Sequence, residues 1–144
     1  MYNFNPGQIE IEITESAVVD FYDIFITNIR KLKNLGFCIS IDDFGTGTSS
    51  LNRLTEFNAD IVKLDKTFLN IGTEDQKKYV IVENIIKMSK KLNMKVVSEG
   101  VETLEQVKIL KEMGCDIAQG FFFERPLSSD DFKSCLKKNR VYEM

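Results

Sequence analysis

The strongest constraint on the fold is a regular alternation of β-branched segments with amphipathic ones. The first segment, Ile9–Thr14, alternates apolar and charged residues with the period of a strand. Four more strand-like segments follow, so that strands are predicted over residues 9–14, 37–42, 60–65, 95–99 and 117–121. They start 22 to 35 residues apart, which is the length of one strand plus a returning helix. This spacing predicts a parallel sheet built from about five βα units.

The segments between the predicted strands have helical character. Between residues 75 and 92, apolar positions recur at a spacing of three and four residues. Gly36 and Gly114 are predicted stops, and Ser128 or Ser129 a predicted N-cap. Helices are predicted over residues 17–35, 49–57, 75–92, 104–113 and 128–137. No internal repeat or low-complexity linker is evident, so we expect residues 1–144 to form one α/β domain.

Two parallel architectures are compatible with five βα units. An open, doubly wound sheet accommodates five strands, whereas a complete (β/α)8 barrel needs eight strands and about 250 residues. Composition and periodicity alone do not choose between a doubly wound sheet and part of a barrel.

Composition excludes several classes of function. The chain has no histidine, which excludes Ser-His-Asp and Cys-His catalysis and histidine-bound zinc. Its three cysteines are odd in number and widely separated, so we expect reduced thiols and a cytoplasmic location. The net charge of -3 argues against DNA or RNA as a partner. We expect no membrane span and no signal peptide, because no sufficiently long apolar run is present.

Polar residues collect where the predicted strands end. They are Glu12, Asp42, Asp43, Lys63, Glu99 and Gln119. The carboxyl ends of parallel strands meet at one rim, where active sites of such folds are built. Clustered carboxylates repel one another unless a cation neutralises them, and oxygen ligands favour Mg²⁺ or Mn²⁺. Two such ions suit in-line attack of water on a phosphodiester.

The glycine-rich loop after the aspartate pair is a second candidate element. Gly45 and Gly47 flank Thr46, and two glycines at alternate positions permit an unusual backbone. The backbone amides and hydroxyl groups of this loop are suited either to contacting phosphate or to capping the next helix.

Taken together, these motifs resemble the EAL domain of cyclic di-GMP phosphodiesterases. The matching segments are Glu12–Ser16, Asp42–Gly47, Lys63–Asp65, Ser98–Thr103, Gln119–Phe121 and Arg125–Leu127. The resemblance covers almost the whole chain, in order and spacing. It implies a TIM-type (β/α) barrel, of which this chain supplies a C-terminal part, and hydrolysis of cyclic di-GMP to pGpG with two Mg²⁺ or Mn²⁺ ions.

The resemblance also assigns roles to individual residues. It implies that the metal ligands are Glu12, Asp42, Asp43 and Glu99. Asp42 resembles the ligand that bridges the two ions, and Lys63 the residue that orients the attacking water. Gln119 resembles a residue that closes the site, and Glu102 an acid next to the ligands. Glu15 resembles the support of the flexible loop that contains Gly45, Thr46 and Gly47.

Two expected ligands are not found in these 144 residues. The family's Glu-Ala-Leu motif carries a metal-binding glutamate on an earlier strand, and an asparagine ligand lies on the following strand; the sequence contains no Glu-Ala-Leu triplet. Removing ligands from a two-metal site costs orders of magnitude in rate. We therefore expect the chain to be inactive alone.

Other hypotheses stay open at this point. One is a degenerate module that binds nucleotide or a protein partner without catalysis. Another is an active site completed by a second polypeptide, and a third, unrelated one is a flavodoxin-like binding domain. The apolar face formed by Ile9, Ile11 and Ile13 on the first strand predicts a homodimer, or pairing with the missing part of the barrel.

Overall fold

A computed structural model of the protein describes residues 4–14, 22–45, 54, 56–69 and 76–138. These residues contain a five-stranded parallel sheet formed by β1 (Glu10–Thr14), β2 (Cys38–Phe44), β3 (Ile61–Leu64), β4 (Lys95–Ser98) and β5 (Ile117–Ala118). The helices are α1 (Tyr22–Asn34), α2 (Gln76–Lys91), α3 (Leu104–Glu112) and α4 (Ser129–Lys138), with short 3-10 helices at Pro6–Gln8 and Lys66–Leu69.

The order of the strands identifies the architecture. Each strand pairs with the next one along the chain, in the order β1-β2-β3-β4-β5, and every pairing is parallel. A doubly wound sheet contains a point where the strand order reverses, and the described sheet contains none. Consecutive parallel strands are instead the arrangement of a (β/α) barrel, so the described sheet is an arc of such a barrel.

Most predicted elements are present, with shifts at their ends. Strand β2 runs two residues past the predicted end at Asp42, and β5 is shorter than predicted because the chain turns at residues 121–123. Ser128 is the cap of α4: its Oγ accepts a hydrogen bond from the backbone N–H of Asp131. Of the predicted helix 49–57, Leu54 and Glu56 are described as helical, and most of the rest lies outside the described residues.

One face of the sheet packs against the helices. Its largest cluster of buried side chains joins strand residues such as Val62 and Val96 to Val82 and Ile86 of α2. A second cluster packs Ile13 and Ile39 against Ile29 of α1. Ile11 and Ile13 therefore pack against α1, whereas Ile9 is exposed and β1 forms an edge of the described sheet. The homodimer stays a prediction.

The opposite face of the sheet carries the polar residues. By strand register, Ser40 pairs with Ile61 and Lys63 with Val97, and all four side chains are buried. The buried polar side chains of Ser40 and Lys63 therefore lie on the inner side of the arc, away from the helices. In the described part of the chain, no helix has the length and apolar character needed to cross a bilayer.

Candidate metal and phosphate site

Lys63 stands at the centre of the predicted site. Its ammonium Nζ lies 2.6 Å from Oε1 of Glu12 and 2.7 Å from Oε1 of Glu99. A third carboxylate, that of Asp42, approaches Nζ to 3.4 Å. The three acids come from β1, from β2 and from the end of β4, while Lys63 lies on β3 between them. Four of the residues predicted from the strand ends are thus brought together.

The charges of this cluster do not balance. One ammonium faces three carboxylates, which leaves a net charge of −2 when all are ionised. Burial of Lys63 favours the neutral amine, but hydrogen bonds to Glu12 and Glu99 and the charges of Glu99 and Asp42 outweigh it and raise the pKa of Lys63. The side chain is 8% exposed. Lys63 is therefore a fixed positive charge at neutral pH.

The adjacent aspartates lie at a bulge in β2. In a regular strand, neighbouring side chains point to opposite faces. Here the register of β2 against β3 shifts between Ile41 and Phe44, and both of these residues pack in the core on the helix side. Asp42 and Asp43 are the two residues between them, and Asp43 has a left-handed backbone with φ of 54°. Bulges of this kind redirect side chains next to active sites.

The cluster has the chemistry of a site for hard divalent cations. Asp42 Oδ1 is buried and has no hydrogen bond, since its contact with Lys63 at 3.4 Å is an ion pair only. A buried oxygen without a donor, in a set of oxygen ligands with excess negative charge, fits Mg²⁺ or Mn²⁺. Within the described ranges, however, no three acidic or thiol side chains are already grouped around a position for a metal. The ammonium of Lys63 lies among three of the four predicted ligands.

The remaining predicted residues lie at the same rim or outside the described part. Gln119 follows β5, and its backbone N–H donates to the carbonyl of Ser98, which places it beside the end of β4. Glu102 is exposed and precedes α3; the side-chain oxygen of Gln106 accepts a hydrogen bond from its backbone N–H. Gly45 lies at the end of β2 with φ of 91°. The predictions for Glu15, Thr46 and Gly47 fall outside the described residues.

Sequence reasoning missed a pair of equivalent structural contacts. Asp60, before β3, accepts a hydrogen bond from the backbone N–H of Ile39 and pairs with Lys33 at 2.9 Å. Asp116, before β5, accepts in the same way from Val96 and pairs with Lys90 at 3.3 Å. Each contact joins the start of an odd-numbered strand to the preceding strand and to the helix that leads into that preceding strand.

The signal for these contacts is an internal repeat, and the expectation of none is wrong. Residues 54–61 read LTEFNADI and residues 110–117 read LKEMGCDI. Asn58 and Gly114 occupy the same place in the two copies, and both have positive φ. Lys63 and Gln119 are also equivalent positions in this alignment. The repeat resides in turn and cap residues rather than in the apolar pattern.

The thiols do not form part of the site. Cys38, Cys115 and Cys135 are free. Burial raises the pKa of the Cys115 thiol, whose Sγ lies within hydrogen-bonding distance of the carbonyl oxygens of Val96 and Ile117. Burial likewise raises the pKa of Cys38. A thiol with a raised pKa is a poor nucleophile.

Comparison with known proteins identifies the family of the chain. The family model described as "EAL domain" matches residues 1–126. The cyclic di-GMP phosphodiesterase NbdA of Pseudomonas aeruginosa is 43% identical over 119 residues, which are 83% of this chain and 15% of NbdA. The cyclic di-GMP phosphodiesterase RocR of the same organism is 34% identical over 131 residues, which are 91% of this chain and 33% of RocR.

Solved structures give the same result. The phosphodiesterase MucR in complex with c-di-GMP superposes with a TM-score of 0.81 at 38% identity, over 89% of this chain and 52% of that one. The manganese and c-di-GMP complex of Klebsiella pneumoniae BlrP1 has a TM-score of 0.79 at 37% identity, over 85% of this chain and 31% of that one. The chain spans 15–17% of the length of the first curated relatives. It belongs to the EAL domain family, whose fold is a TIM-like barrel.

Proposed function

We propose that residues 1–144 form the C-terminal part of an EAL domain and supply one wall of a metal-dependent cyclic di-GMP phosphodiesterase site. The main support for this proposal is that carboxylates from three parts of the sheet approach the buried ammonium of Lys63. The distances are 2.6 Å for Glu12, 3.4 Å for Asp42 and 2.7 Å for Glu99. MucR and BlrP1 structures that contain c-di-GMP have the same fold, which supports this nucleotide as the ligand.

The proposed ligands are Glu12, Asp42, Asp43 and Glu99, with Mg²⁺ or Mn²⁺ as the ions. When bound, two such ions supply stabilisation of the attacking and leaving oxygens of the phosphodiester. Lys63 holds a positive charge on β3, where it orients water or a phosphate oxygen. The outcome is cleavage of one phosphodiester of cyclic di-GMP by water, which gives the linear dinucleotide pGpG.

The remaining proposed residues act at the edge of the site. Gln119 and Glu102 lie at the carboxyl ends of neighbouring strands, and the loop that begins at Gly45 contributes Thr46 and Gly47, with Glu15 as its support. The sequence contains no Glu-Ala-Leu triplet. This supports a second candidate function, in which the chain binds cyclic di-GMP without hydrolysing it.

One experiment separates Mn²⁺ binding from hydrolysis of cyclic di-GMP. The purified 144-residue chain is titrated with Mn²⁺ by electron paramagnetic resonance and then incubated with Mn²⁺ and cyclic di-GMP, with pGpG measured by liquid chromatography. We expect Mn²⁺ binding that is lost in Asp42→Asn, and no pGpG, because the chain has no Glu-Ala-Leu glutamate. Failure of Mn²⁺ to bind would contradict the metal-site proposal, and robust turnover would contradict the need for further ligands.

A further inference from the structure

The 3-10 helix Lys66–Leu69 lies between two of the backbone segments that carry predicted metal ligands, that of Asp42–Asp43 and that of Glu99. It begins directly after β3, and Asp65 caps it: Oδ1 of Asp65 accepts a hydrogen bond from the backbone N–H of Thr67 at 2.8 Å, and its carbonyl accepts from Phe68 at 3.0 Å. Lys63, two residues upstream, ion-pairs with Asp42 and Glu99. The same stretch of chain therefore meets both acids.

On one side, the helix contacts the end of β2 through Phe68. Gly45 follows the Asp42–Asp43 bulge and has φ of 91°. A Cβ placed on Gly45 would lie 2.4 Å from Cζ of the Phe68 ring, so the ring packs directly on the glycine backbone. The ring also packs against the main core cluster. A half-buried aromatic ring thus rests on the segment that positions the aspartate pair.

On the other side, the helix contacts the loop after β4 through Lys66. Gly100 follows Glu99 directly and has φ of 70°. A Cβ on Gly100 would lie 2.4 Å from Cβ of Lys66. A glycine therefore lies at each of the two contacts, Gly45 against Phe68 and Gly100 against Lys66. Each glycine is within three residues of a predicted metal ligand.

The end of the helix is fixed in the protein interior. Leu69 is 4% exposed and packs in the cluster formed with Val101 and Val107, while its carbonyl accepts a hydrogen bond from the side chain of Gln106 at 3.3 Å. Phe68 packs in the main cluster and Leu69 in the cluster of Val101 and Val107. We therefore expect a movement of the helix relative to one ligand segment to disturb the other.

We propose that the helix Lys66–Leu69 is a spacer that sets the separation of Asp42–Asp43 from Glu99, with Phe68 as its positioning residue. This inference rests on the proposed metal site for its functional consequence, but not for the coupling itself. The contact of the Phe68 ring with Gly45 transmits its effect on metal binding through the backbone.

The coupling is tested by nuclear magnetic resonance on the metal-free chain. Phe68→Ala is compared with Phe25→Ala, since Phe25 is a half-buried phenylalanine that packs on the same cluster from α1. We expect Phe68→Ala to shift the backbone amide resonances of Asp43–Gly45 and also those of Glu99–Gly100, and Phe25→Ala to shift neither pair. Shifts confined to Asp43–Gly45, or equal shifts in both variants, would overturn the proposal.

The functional consequence is measured separately as Mn²⁺ affinity. We expect Phe68→Ala to bind Mn²⁺ about 10-fold more weakly than the wild-type chain, the effect of disturbing residues that support metal ligands. Phe68→Leu, which keeps an apolar side chain at the contact, should recover most of the affinity, and Phe25→Ala should keep it. Equal affinity in Phe68→Ala and wild type would overturn the positioning role. If the wild-type chain binds no Mn²⁺, the proposed function fails, while the amide shifts still decide the coupling.

Discussion

The ammonium of Lys63 lies 2.7 Å from Oε1 of Glu99, although the two residues come from neighbouring strands and are separated in the chain by an entire helix. Two further carboxylates, those of Glu12 and Asp42, approach the same nitrogen. Lys63 therefore provides a cation that keeps the acids together. This relationship leads to predictions for both stability and metal binding.

Replacing Lys63 by methionine should destabilise the metal-free protein. The variant leaves three carboxylates without their ammonium, and we expect the free energy of unfolding to fall by about 2 kcal/mol. Breaking a fully buried ion pair costs more than this, but Glu12 is half exposed, which reduces the loss. Mn²⁺ should raise the melting temperature of this variant more than that of wild type. The measurement is urea unfolding with chelator, and the control is Lys87→Met, which breaks the more exposed pair of Lys87 with Glu83. Equal losses in the two variants would contradict the role of Lys63.

Replacing Asp42 by asparagine should separate stability from metal binding. The change removes one negative charge from a cluster with net charge −2, so the metal-free free energy of unfolding should stay constant or rise by up to about 1 kcal/mol. Mn²⁺ affinity should fall by at least about 10-fold. Asp130→Asn, on an exposed position of α4, should change neither quantity. A clear destabilisation by Asp42→Asn would show that the carboxylate is needed for folding.

Asp65 should give the stability a defined dependence on pH. Hydrogen bonding with the Thr67 side chain lowers the pKa of Asp65; burial opposes this, and the backbone N–H groups of Thr67 and Lys66 add to the lowering. Its contribution is therefore complete above the unfolded-state pKa of about 3.9 and is lost as the pH falls through the lower folded-state value.

The matching experiment compares wild type with Asp65→Ala by urea unfolding between pH 7 and pH 3. We expect the free energy of unfolding of Asp65→Ala to be lower than that of wild type by about 1 kcal/mol at pH 7, which is typical of a lost cap. This difference should shrink only in the acid part of the range. A difference that stays constant down to pH 3 would assign the effect to something other than the carboxylate.

The two repeated aspartates should behave alike. Asp60→Ala and Asp116→Ala each leave the backbone N–H of a fully buried strand residue, Ile39 or Val96, without its acceptor. We expect each to cost about 2 kcal/mol. Asparagine at either position keeps an acceptor and loses only a partly exposed ion pair, which should cost less than about 1 kcal/mol. Equal losses for the alanine and asparagine variants would contradict this explanation.

Much of the fold and site could be predicted because both depend on strand periodicity. The β-branched segments marked the strands, and the carboxyl ends of parallel strands necessarily meet, so Glu12, Asp42, Lys63 and Glu99 were expected at one rim. What the pattern does not encode is local irregularity. The acids between Ile41 and Phe44 indicated the end of a strand, whereas a bulge carries β2 through them.

Other features escaped prediction because short-range hydrogen bonds create them. The helix Lys66–Leu69 depends on the cap by Asp65, and no apolar period accompanies so short an element. The choice between a doubly wound sheet and a barrel likewise required the observed strand order. Periodicity gives the elements, but the order in which they pair is a long-range property.

The most direct test of the central claim is calorimetric titration of the chain with cyclic di-GMP in the presence of Ca²⁺, an ion found with this nucleotide in a BlrP1 structure. We expect nucleotide binding that requires Ca²⁺, disappears with chelator and is lost in the double variant Asp42→Asn, Glu99→Gln. Equal nucleotide binding with and without Ca²⁺, or none in its presence, would contradict a metal-dependent site around Lys63.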